Sequence, residues 1–322
     1  MNGPLMIVDN LQLTLSVPSG LFNALHGLSF TIEQGEVVGL VGESGSGKSL
    51  TASAIMGLLN PSHQLTGKIT FEGNNLLDMT SKELMKLRGN RLSLILQDPG
   101  QSLNPVIRIG TQLIEGLCHH KKIARKQAYA EGIAWLEKVG INNPSERMRQ
   151  YPHELSGGMK QRILIAMALI CQPSLLIADE PTTALDTTVQ LQILHLLASL
   201  QKKENTSVLL ITHDLGIVAN FCDRVLVMYA GQIVESASVK ELFSSPKHPY
   251  TRALLKSKYS LLGNKNERLH IIEGSPPPLN RKFSGCSFSP RCPDAIDLCS
   301  NSPPQICLNN SHRVRCWRSQ ND

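Results

Sequence analysis

The sequence predicts an α/β protein whose core is a parallel β-sheet with helices on both faces. Short apolar strand patterns alternate with helical patterns along most of the 322 residues, and this alternation is typical of parallel sheets covered by helices. Strand patterns also follow one another over residues 5–41, and we expect these early strands to form a small antiparallel sheet. Five of the eight cysteines lie within residues 286–316, which indicates a Cys-rich C-terminal extension.

Hydrophobic periodicity places the individual elements. Strands are predicted at LQLTLSV, LSFTIE, EVVGLVG, GKITFEG, RLSLILQ, SLLIADE and SVLLITH, and DRVLVMYAGQIVE predicts a hairpin with a tight Ala-Gly turn. Helices are predicted at residues 48–59 and 81–88 and at QAYAEGIAWLEKVGI, LSGGMKQRILIAMALIC and TTVQLQILHLLASLQKKE. From Asp98 to about Gln150 the helices have polar faces, and we expect an inserted α-helical subdomain at about 98–160.

Composition limits the class of protein. Hydrophobic residues make up 41% of the chain, enough for a sizeable core, and the formal net charge of +6 favours acidic partners such as nucleotides, nucleic acid or a membrane surface. No apolar run of about 18 residues predicts a membrane-spanning helix. The start, MNGPLMIVDNLQLTL, lacks the pattern of a secretory signal. We therefore expect the protein to remain in the cytoplasm.

The strongest motif is a phosphate-loop pattern, in which four residues separate two glycines and Lys-Ser follows. It comprises Gly42, Glu43, Ser44, Gly45, Ser46, Gly47, Lys48 and Ser49. Because the motif lies between a strand and a helix, its backbone N–H groups and the helix N-terminus would point at bound phosphates. We expect Lys48 to neutralise β- and γ-phosphate charge and Ser49 to bind Mg²⁺. The alternative is a flexible glycine turn with a solvated lysine.

Two adjacent carboxylates end the apolar strand SLLIADE. Desolvated paired carboxylates are costly without cations. Asp179 therefore suits Mg²⁺ binding, and Glu180 suits the general base for attack of water on a γ-phosphate. A helix N-cap followed by a solvated glutamate is the alternative.

A second anion-binding pattern opens another predicted helix at Ser156, Gly157 and Gly158. One bound phosphate group needs only one such loop in each chain, so the second loop indicates a nucleotide held by another subunit. An ordinary helix N-cap with a glycine turn is the alternative.

Together these motifs resemble those of the nucleotide-binding subunits of ATP-binding-cassette (ABC) transporters, over nearly all of residues 5–260. LSGGMKQR resembles the family signature, with Met159 where many members have glutamine. The resemblance implies a P-loop NTPase fold with a RecA-like parallel sheet core. It also implies hydrolysis of ATP with Mg²⁺.

The resemblance assigns roles to residues whose own patterns are weak. Gln97 is expected to contact the metal and the attacking water, and Asp186 in TTALD to communicate across a dimer. His213 is expected to contact the γ-phosphate and Phe22 to stack on adenine. The alternatives are a surface turn at Gln97, a helix N-cap at Asp186, a structural histidine and a core phenylalanine. The remaining expected nucleotide contacts are Leu50 and Gln161.

The resemblance also implies partners. Two ATPase subunits, expected to be paralogues, would face each other head to tail, with each ATP between the phosphate loop of one and Ser156–Gly158 of the other. Two polytopic permease subunits and an extracytoplasmic substrate-binding protein would complete an importer, with this chain peripheral at the cytoplasmic face of the inner membrane and no nucleic-acid partner. The alternative is a soluble ABC-type ATPase of translation or DNA repair. Glu180 and His213 argue against a regulator that binds nucleotide without hydrolysis.

The C-terminal region resembles the oligopeptide, dipeptide and nickel importer branch of the family. The resemblance lies in HPYTRALL at 248–255, the linker GSPPPLNRKFSG and SGCSFSPRCPDAIDLC. We therefore expect a nucleotide-binding domain at 1–260, an extension at 261–322 and a peptide as the transported substrate.

Four cysteines of the extension are selected by the same resemblance: Cys286, Cys292, Cys299 and Cys316. Four thiolates hold a [4Fe–4S] cluster or a zinc ion. The cluster is favoured because no close Cys pair typical of zinc sites is present and because Pro293 follows Cys292. Zinc, free thiols and disulfides remain alternatives. Three arginines are expected to offset cluster charge: Arg291, Arg313 and Arg315.

Overall fold

The computed structural model describes residues 3–18, 20–183, 185–262, 272–277, 283–303, 306–308 and 311–320. Among these residues the strands are β1 (Met6–Val17), β2 (Gly20–Ile32), β3 (Val37–Val41), β4 (Gln64–Phe71), β5 (Asn74–Asn75), β6 (Leu92–Ile95), β7 (Leu175–Asp179), β8 (Ser207–Thr212), β9 (Arg224–Tyr229), β10 (Gln232–Ser238), β11 (Ile306–Cys307) and β12 (Arg313–Val314). The α-helices are α1 (Lys48–Ile55), α2 (Ser81–Leu87), α3 (Pro99–Ser102), α4 (Ile109–Gly116), α5 (Arg125–Lys138), α6 (Pro144–Arg147), α7 (Gly157–Leu169), α8 (Thr187–Glu204), α9 (Leu215–Phe221), α10 (Val239–Ser244) and α11 (Pro249–Leu262).

The chain divides into two compact units. The first comprises Met1–Leu5, Glu33–Glu36 and Asp78–Leu210. The second comprises Met6–Ile32, Val37–Leu77 and Ile211–Asp322. The extension therefore shares a unit with the phosphate loop, although composition changes near residue 260. Residues 278–282 of the Pro-rich linker lie outside the described residues.

The first unit contains the predicted helical segment. Between Asp98 and Gln150 it forms helices α3 to α6, and a π-helical turn at Leu117–Lys121 follows α4. Trp135 and Leu136 of α5 are buried in this unit. Strands β6 and β7 pair in parallel, with Leu92 opposite Leu175. The helical insertion and the parallel strand pair are as predicted.

The second unit contains the predicted antiparallel sheet, in which the strand order is β2-β1-β4-β5. Strand β3 lies in the early segment that was expected to be antiparallel, but it pairs in parallel with β9. Its nearly continuous burial is typical of a parallel sheet and explains the difference. Strand β9 continues antiparallel into β10. The predicted Ala-Gly turn joins β9 and β10, with Ala230 at φ 44° and Gly231 at φ 75°. Two consecutive left-handed residues are typical of the type I′ turn.

The C-terminal extension packs into the core of the second unit. Phe288 is 1% exposed and belongs to the same buried apolar cluster as Tyr229 and Tyr250. Its ring centroid lies 5.2 Å from that of Tyr229 and 5.3 Å from that of Tyr250. Such aromatic groups contribute through both burial and ring geometry, so the described part of the extension is anchored to strand β9 and helix α11.

Two predicted boundaries differ from the structure. The helix predicted at 48–59 ends at Ile55, and Gly57 has a left-handed φ of 63°, a conformation that commonly follows a helix end. The strand predicted at RLSLILQ ends at Ile95, so Gln97 lies in the following loop. Within the described part of the chain, no helix is both long and apolar enough to cross a bilayer.

Candidate active site

The phosphate loop connects strand β3 to helix α1 in the second unit. Gly47 precedes the helix with a φ of 106°, which non-glycine residues rarely adopt. A Cβ on Gly42 would lie 2.2 Å from the carbonyl oxygen of Met228. The loop therefore needs glycine at both positions, at one for its backbone conformation and at the other for its close packing.

Lys48 is positioned inside this loop. Its side chain is largely buried, at 6% exposure. Its Nζ donates hydrogen bonds to the carbonyl oxygens of Gly42 and Glu43, both at 2.9 Å. The ammonium group is thus held against the backbone of the loop, through carbonyl oxygens and not through the N–H groups that bind phosphate in this motif. Ser49 and Leu50 follow in the first turn of α1, and Ser49 is exposed.

The β9–β10 turn supports the loop. The Gly231 N–H donates to the carbonyl oxygen of Ser46 at 2.8 Å, and the His26 N–H donates to the carbonyl oxygen of Gly231 at 2.9 Å. A Cβ on Gly231 would lie 2.3 Å from the carbonyl oxygen of Ala24. The turn therefore connects strand β2 to the phosphate loop through backbone contacts.

Two other predicted nucleotide contacts lie in this unit. Phe22 is half-buried in strand β2, opposite Leu15 of β1. His213 is exposed and follows directly after Thr212, the last residue of β8. Helix α9 then begins under the cap of Asp214, whose side chain accepts from the Gly216 N–H at 2.7 Å. The predicted position of His213 after a buried strand is as found, and its role remains a prediction.

The carboxylate pair ends strand β7 in the first unit. All five residues of β7, including Asp179, are buried. Glu180 has a left-handed φ of 46°, which turns the chain sharply after the strand. Its Oε2 accepts a hydrogen bond from Gln97 Nε2 at 3.1 Å and one from Thr183 Oγ1 at 2.9 Å. The structure thus brings Gln97 to Glu180, and it adds Thr183, which sequence reasoning missed.

The signature segment opens helix α7 of the same unit. Ser156 caps the helix by accepting from the Met159 N–H at 3.4 Å, and Ser156 and Gly157 are exposed. The Gln161 side chain is 1% exposed and donates to the carbonyl oxygen of Pro181. This hydrogen bond connects α7 to the segment after Glu180. The Gln161 side chain is thus buried in an internal contact of the first unit, whereas the sequence suggested a nucleotide contact.

Asp186 caps helix α8. Its carboxylate accepts from the Val189 N–H at 3.0 Å, and the residue is exposed. The N-cap that the sequence offered as an alternative is therefore present, and it leaves the carboxylate accessible at the start of the helix.

The four predicted cysteine ligands lie around one small cavity of the second unit. Cys286, Cys292, Cys299 and Cys316 line it together with Phe288, whereas Cys307 is exposed. Burial raises the pKa of the Cys286 and Cys316 thiols and raises the pKa of Cys292 to about 11. Cysteine thiolates are the donors of both iron–sulfur and zinc sites. In the described residues, no group of three or more His, Cys, Asp or Glu side chains stands in an arrangement ready to hold a metal ion.

One arginine of the extension differs from its predicted use. The sequence suggested that Arg291 offsets cluster charge, but its guanidinium forms two hydrogen bonds with the Glu43 carboxylate of the phosphate loop, at 2.7 and 3.0 Å. Nothing in the sequence signalled this contact, because 248 positions separate the two residues.

Comparisons with known proteins agree with these motifs. Residues 25–183 match the model of the ABC transporter family, and residues 234–299 match the oligopeptide/dipeptide transporter C-terminal region. The chain is 48% identical over 314 residues to the oligopeptide transport ATP-binding protein OppD of Salmonella typhimurium, covering 98% of this chain and 93% of the relative. It is 49% identical over 313 residues to the dipeptide transport ATP-binding protein DppD of Bacillus subtilis, covering 96% and 93%.

Solved structures are similar in fold. The dimeric post-hydrolysis structure of the ATP-binding cassette MJ0796 bound to ADP and Pi aligns with a TM-score of 0.65 at 25% identity, covering 73% of this chain and 98% of that one. CbiO1 of Clostridium perfringens, part of the transporter complex cbiONQ, aligns with a TM-score of 0.65 at 29% identity, covering 80% and 98%.

Proposed function

The chain belongs to the ABC transporter family, and we propose that it is the ATP-binding and ATP-hydrolysing subunit of an importer for oligopeptides or dipeptides. The observation that carries the catalytic part is the carboxylate of Glu180, held by Gln97 and Thr183 at the end of a buried strand. Near-full-length identity to peptide-transport ATPases supports the substrate class. The alternative of a soluble ATPase in translation or DNA repair has no support from these relatives.

The phosphate loop binds the nucleotide in this proposal. The N–H groups of residues 42–49 receive the phosphate oxygens, Lys48 neutralises β- and γ-phosphate charge, and Phe22 stacks on the adenine. Ser49, Gln97 and Asp179 would hold Mg²⁺ through oxygen atoms, a donor set that suits this hard cation. Bound Mg²⁺ supplies charge stabilisation as the γ-phosphoryl group departs.

Hydrolysis requires a positioned water. Glu180 accepts a proton from that water, and His213 contacts the γ-phosphate. The hydrogen bonds from Gln97 and Thr183 fix the Glu180 carboxylate before nucleotide arrives. Because phosphoryl transfer demands little covalent chemistry from the protein, this positioning is the main contribution of the chain's own residues.

A second ATPase subunit completes each site. Ser156, Gly157 and Gly158 of one subunit bind the ATP held by the other, and Asp186 lies near the dimer contact. The solved relative MJ0796 is dimeric with ADP and Pi bound, which supports this arrangement. ATP stabilises the closed pair because it contacts both subunits, and its hydrolysis allows reopening.

The importer contains further chains. We assign to it two permease subunits, an extracytoplasmic substrate-binding protein and a paralogous ATPase as the second subunit, with this chain peripheral at the cytoplasmic face of the inner membrane. The match of residues 234–299 to the oligopeptide/dipeptide transporter C-terminal region supports this assembly.

A [4Fe–4S] cluster in the extension is the finer part of the proposal. Cys286, Cys292, Cys299 and Cys316 would hold it, since these four thiols share one cavity and Cys307 does not line it. When bound, such a cluster supplies a redox-sensitive structural link. If iron analysis of the purified protein finds no iron, a zinc site or free thiols are the alternatives.

The test uses the full chain purified with its membrane partners. Vesicles containing the complex should take up a labelled di- or oligopeptide only with MgATP, and Lys48→Ala should abolish both uptake and ATP binding. Lys82→Ala, a matched change at an exposed lysine of helix α2, should leave both intact. Failure of the wild-type chain to bind MgATP would overturn the proposal. ATP binding and hydrolysis without peptide uptake would overturn the substrate assignment alone.

A further inference from the structure

The extension contacts the phosphate loop through a buried ion pair. Arg291 Nη1 donates to Glu43 Oε2 at 2.7 Å, and Nη2 donates to Oε1 at 3.0 Å. The Arg291 side chain is 6% exposed and that of Glu43 is 24% exposed. A two-point, largely desolvated arginine–carboxylate contact has a defined geometry, unlike an exposed ion pair.

Arg291 is itself held on every side. Its Nε donates to the carbonyl oxygen of Glu273 at 2.9 Å, and Nη2 also donates to that of Ile272 at 3.2 Å. Nη1 lies 3.4 Å from Tyr229 Oη. Hydrogen bonding to Glu43 raises the pKa of Arg291 above its ordinary value, so the guanidinium stays charged. These contacts give the arginine one position.

Glu43 is held through its backbone as well. Its N–H donates to Tyr250 Oη at 2.9 Å. Its carbonyl oxygen accepts from Lys48 Nζ at 2.9 Å and from the Ser46 N–H at 3.2 Å. Glu43 therefore binds Arg291 through its side chain and positions Lys48 through its carbonyl oxygen.

The Arg291–Glu43 ion pair affects the charge of the phosphate loop. Glu43 places a carboxylate within a loop whose ligand is a polyphosphate, and like charges at such distances repel, more strongly where water is partly excluded. Arg291 neutralises that carboxylate and directs it toward the extension. Without the arginine, the free carboxylate would oppose phosphate binding and would compete for Lys48.

We propose that Arg291 of the Cys-rich extension is a positioning residue for the phosphate loop, which neutralises Glu43 and keeps the loop and Lys48 ready for nucleotide. This inference rests on the proposed function, because it assumes that the loop binds ATP. The extension thereby takes a direct part in the nucleotide site of its own subunit.

The test compares Mg-dependent binding of a fluorescent ATP analogue to the full chain and to matched variants. Arg291→Ala should weaken binding roughly tenfold, the scale of one uncompensated charge. Adding Glu43→Gln to Arg291→Ala should restore most of that loss, since the opposing charge is gone. The affinity of Arg291→Lys should lie between those of wild type and Arg291→Ala, because lysine supplies charge without the planar two-point contact. Arg252→Ala, which breaks the exposed pair with Asp294, should bind like wild type.

Thermal unfolding of each variant separates positioning from folding. Binding is compared at a temperature at which every variant is folded, so rescue by Glu43→Gln there cannot come from restored folding and supports the proposal. Unchanged binding by Arg291→Ala, or weakened binding that Glu43→Gln does not restore, would overturn the inference while leaving the proposed function intact. No MgATP binding by wild type would instead overturn both.

Discussion

Gln97 Nε2 donates a hydrogen bond to Glu180 Oε2 at 3.1 Å, across 83 positions of sequence. The contact joins the loop after β6 to the residue after β7, two strands that pair in parallel. The ends of neighbouring parallel strands lie at the same edge of a sheet, which is why two separate loops supply this pair. The proposed general base is thus oriented by protein atoms.

Replacing Glu180 by glutamine should abolish hydrolysis while preserving ATP binding. Glutamine is nearly the same size but cannot accept the proton of the attacking water, so turnover should fall about 100-fold or more. Single-turnover hydrolysis and size-exclusion chromatography with MgATP measure this, and ATP-bound dimers should accumulate. Glu137→Gln, at an exposed acid of α5, is the matched control. Normal turnover by Glu180→Gln would show that another group is the base.

Replacing Gln97 by alanine should lower the turnover rate more than ATP affinity. The change removes the Gln97 hydrogen bond to Glu180 and leaves that of Thr183, so a roughly tenfold loss of kcat is expected with KM within about threefold. Gln127→Ala, an amide on helix α5, is the control. A rise in KM with unchanged kcat would contradict the role of Gln97 in positioning Glu180 and would leave only its role as a Mg²⁺ ligand.

Replacing Gly42 by alanine should prevent ATP binding. The added Cβ would lie 2.2 Å from the Met228 carbonyl oxygen, and because that neighbour is backbone, the loop itself must shift. Equilibrium binding of an ATP analogue, with thermal unfolding as a check on folding, measures the effect. Gly3→Ala, where no atom lies within 4 Å, should behave like wild type. Full affinity in a folded Gly42→Ala protein would show that the loop tolerates displacement.

Changing a single cysteine of the extension should distinguish ligands from bystanders. Cys292→Ser should remove most bound iron from anaerobically purified protein, because a cluster depends on all its thiolates. Cys307→Ser should retain it, since Cys307 is exposed and does not line the cavity. Iron content and visible absorbance are the measurements. If the wild-type protein contained no iron but stoichiometric zinc, the four cysteines would be assigned to a zinc site and not to a cluster.

Glu235 should make the second unit unstable in acid. Burial by itself would raise the pKa of this carboxyl, but hydrogen bonds from His312 and from the backbone N–H groups of Lys247 and His248 outweigh burial and lower the pKa below its ordinary 4.5. A lowered carboxyl pKa stabilises the folded state above the unfolded-state value, and that stability is lost as pH falls through the folded-state value. Unfolding midpoints should therefore decline from about pH 5 downward.

Glu235→Gln tests this assignment. The variant should be less stable than wild type at pH 7 by roughly 1–3 kcal/mol, since a buried charge-assisted network is broken. Its stability should then change less between pH 5 and pH 3. Glu137→Gln serves again as an exposed control. Equal acid sensitivity in wild type and Glu235→Gln would assign the effect to other carboxyl groups.

The order of strands and helices, the phosphate loop, the adjacent acids and the signature helix could all be predicted from the amino-acid sequence. These depend on local features such as apolar periodicity, glycine spacing and helix capping, so neighbouring residues suffice to specify them. The sequence could not place the end of β6 before Gln97, because an apolar residue, Leu96, continues the strand pattern although it is exposed.

The contacts between residues far apart in sequence follow from the three-dimensional packing alone. Gln97 on Glu180, Tyr250 on the Glu43 N–H and Arg291 on the Glu43 carboxylate carry no local pattern. Arg291 directly precedes Cys292, so the sequence suggested that its charge would offset that of a cluster. Packing of Phe288 against Tyr229 and Tyr250 instead places Arg291 next to the phosphate loop. Burial of the apolar side chains fixes the backbone of the extension, and the position of the backbone determines which carboxylate Arg291 can reach.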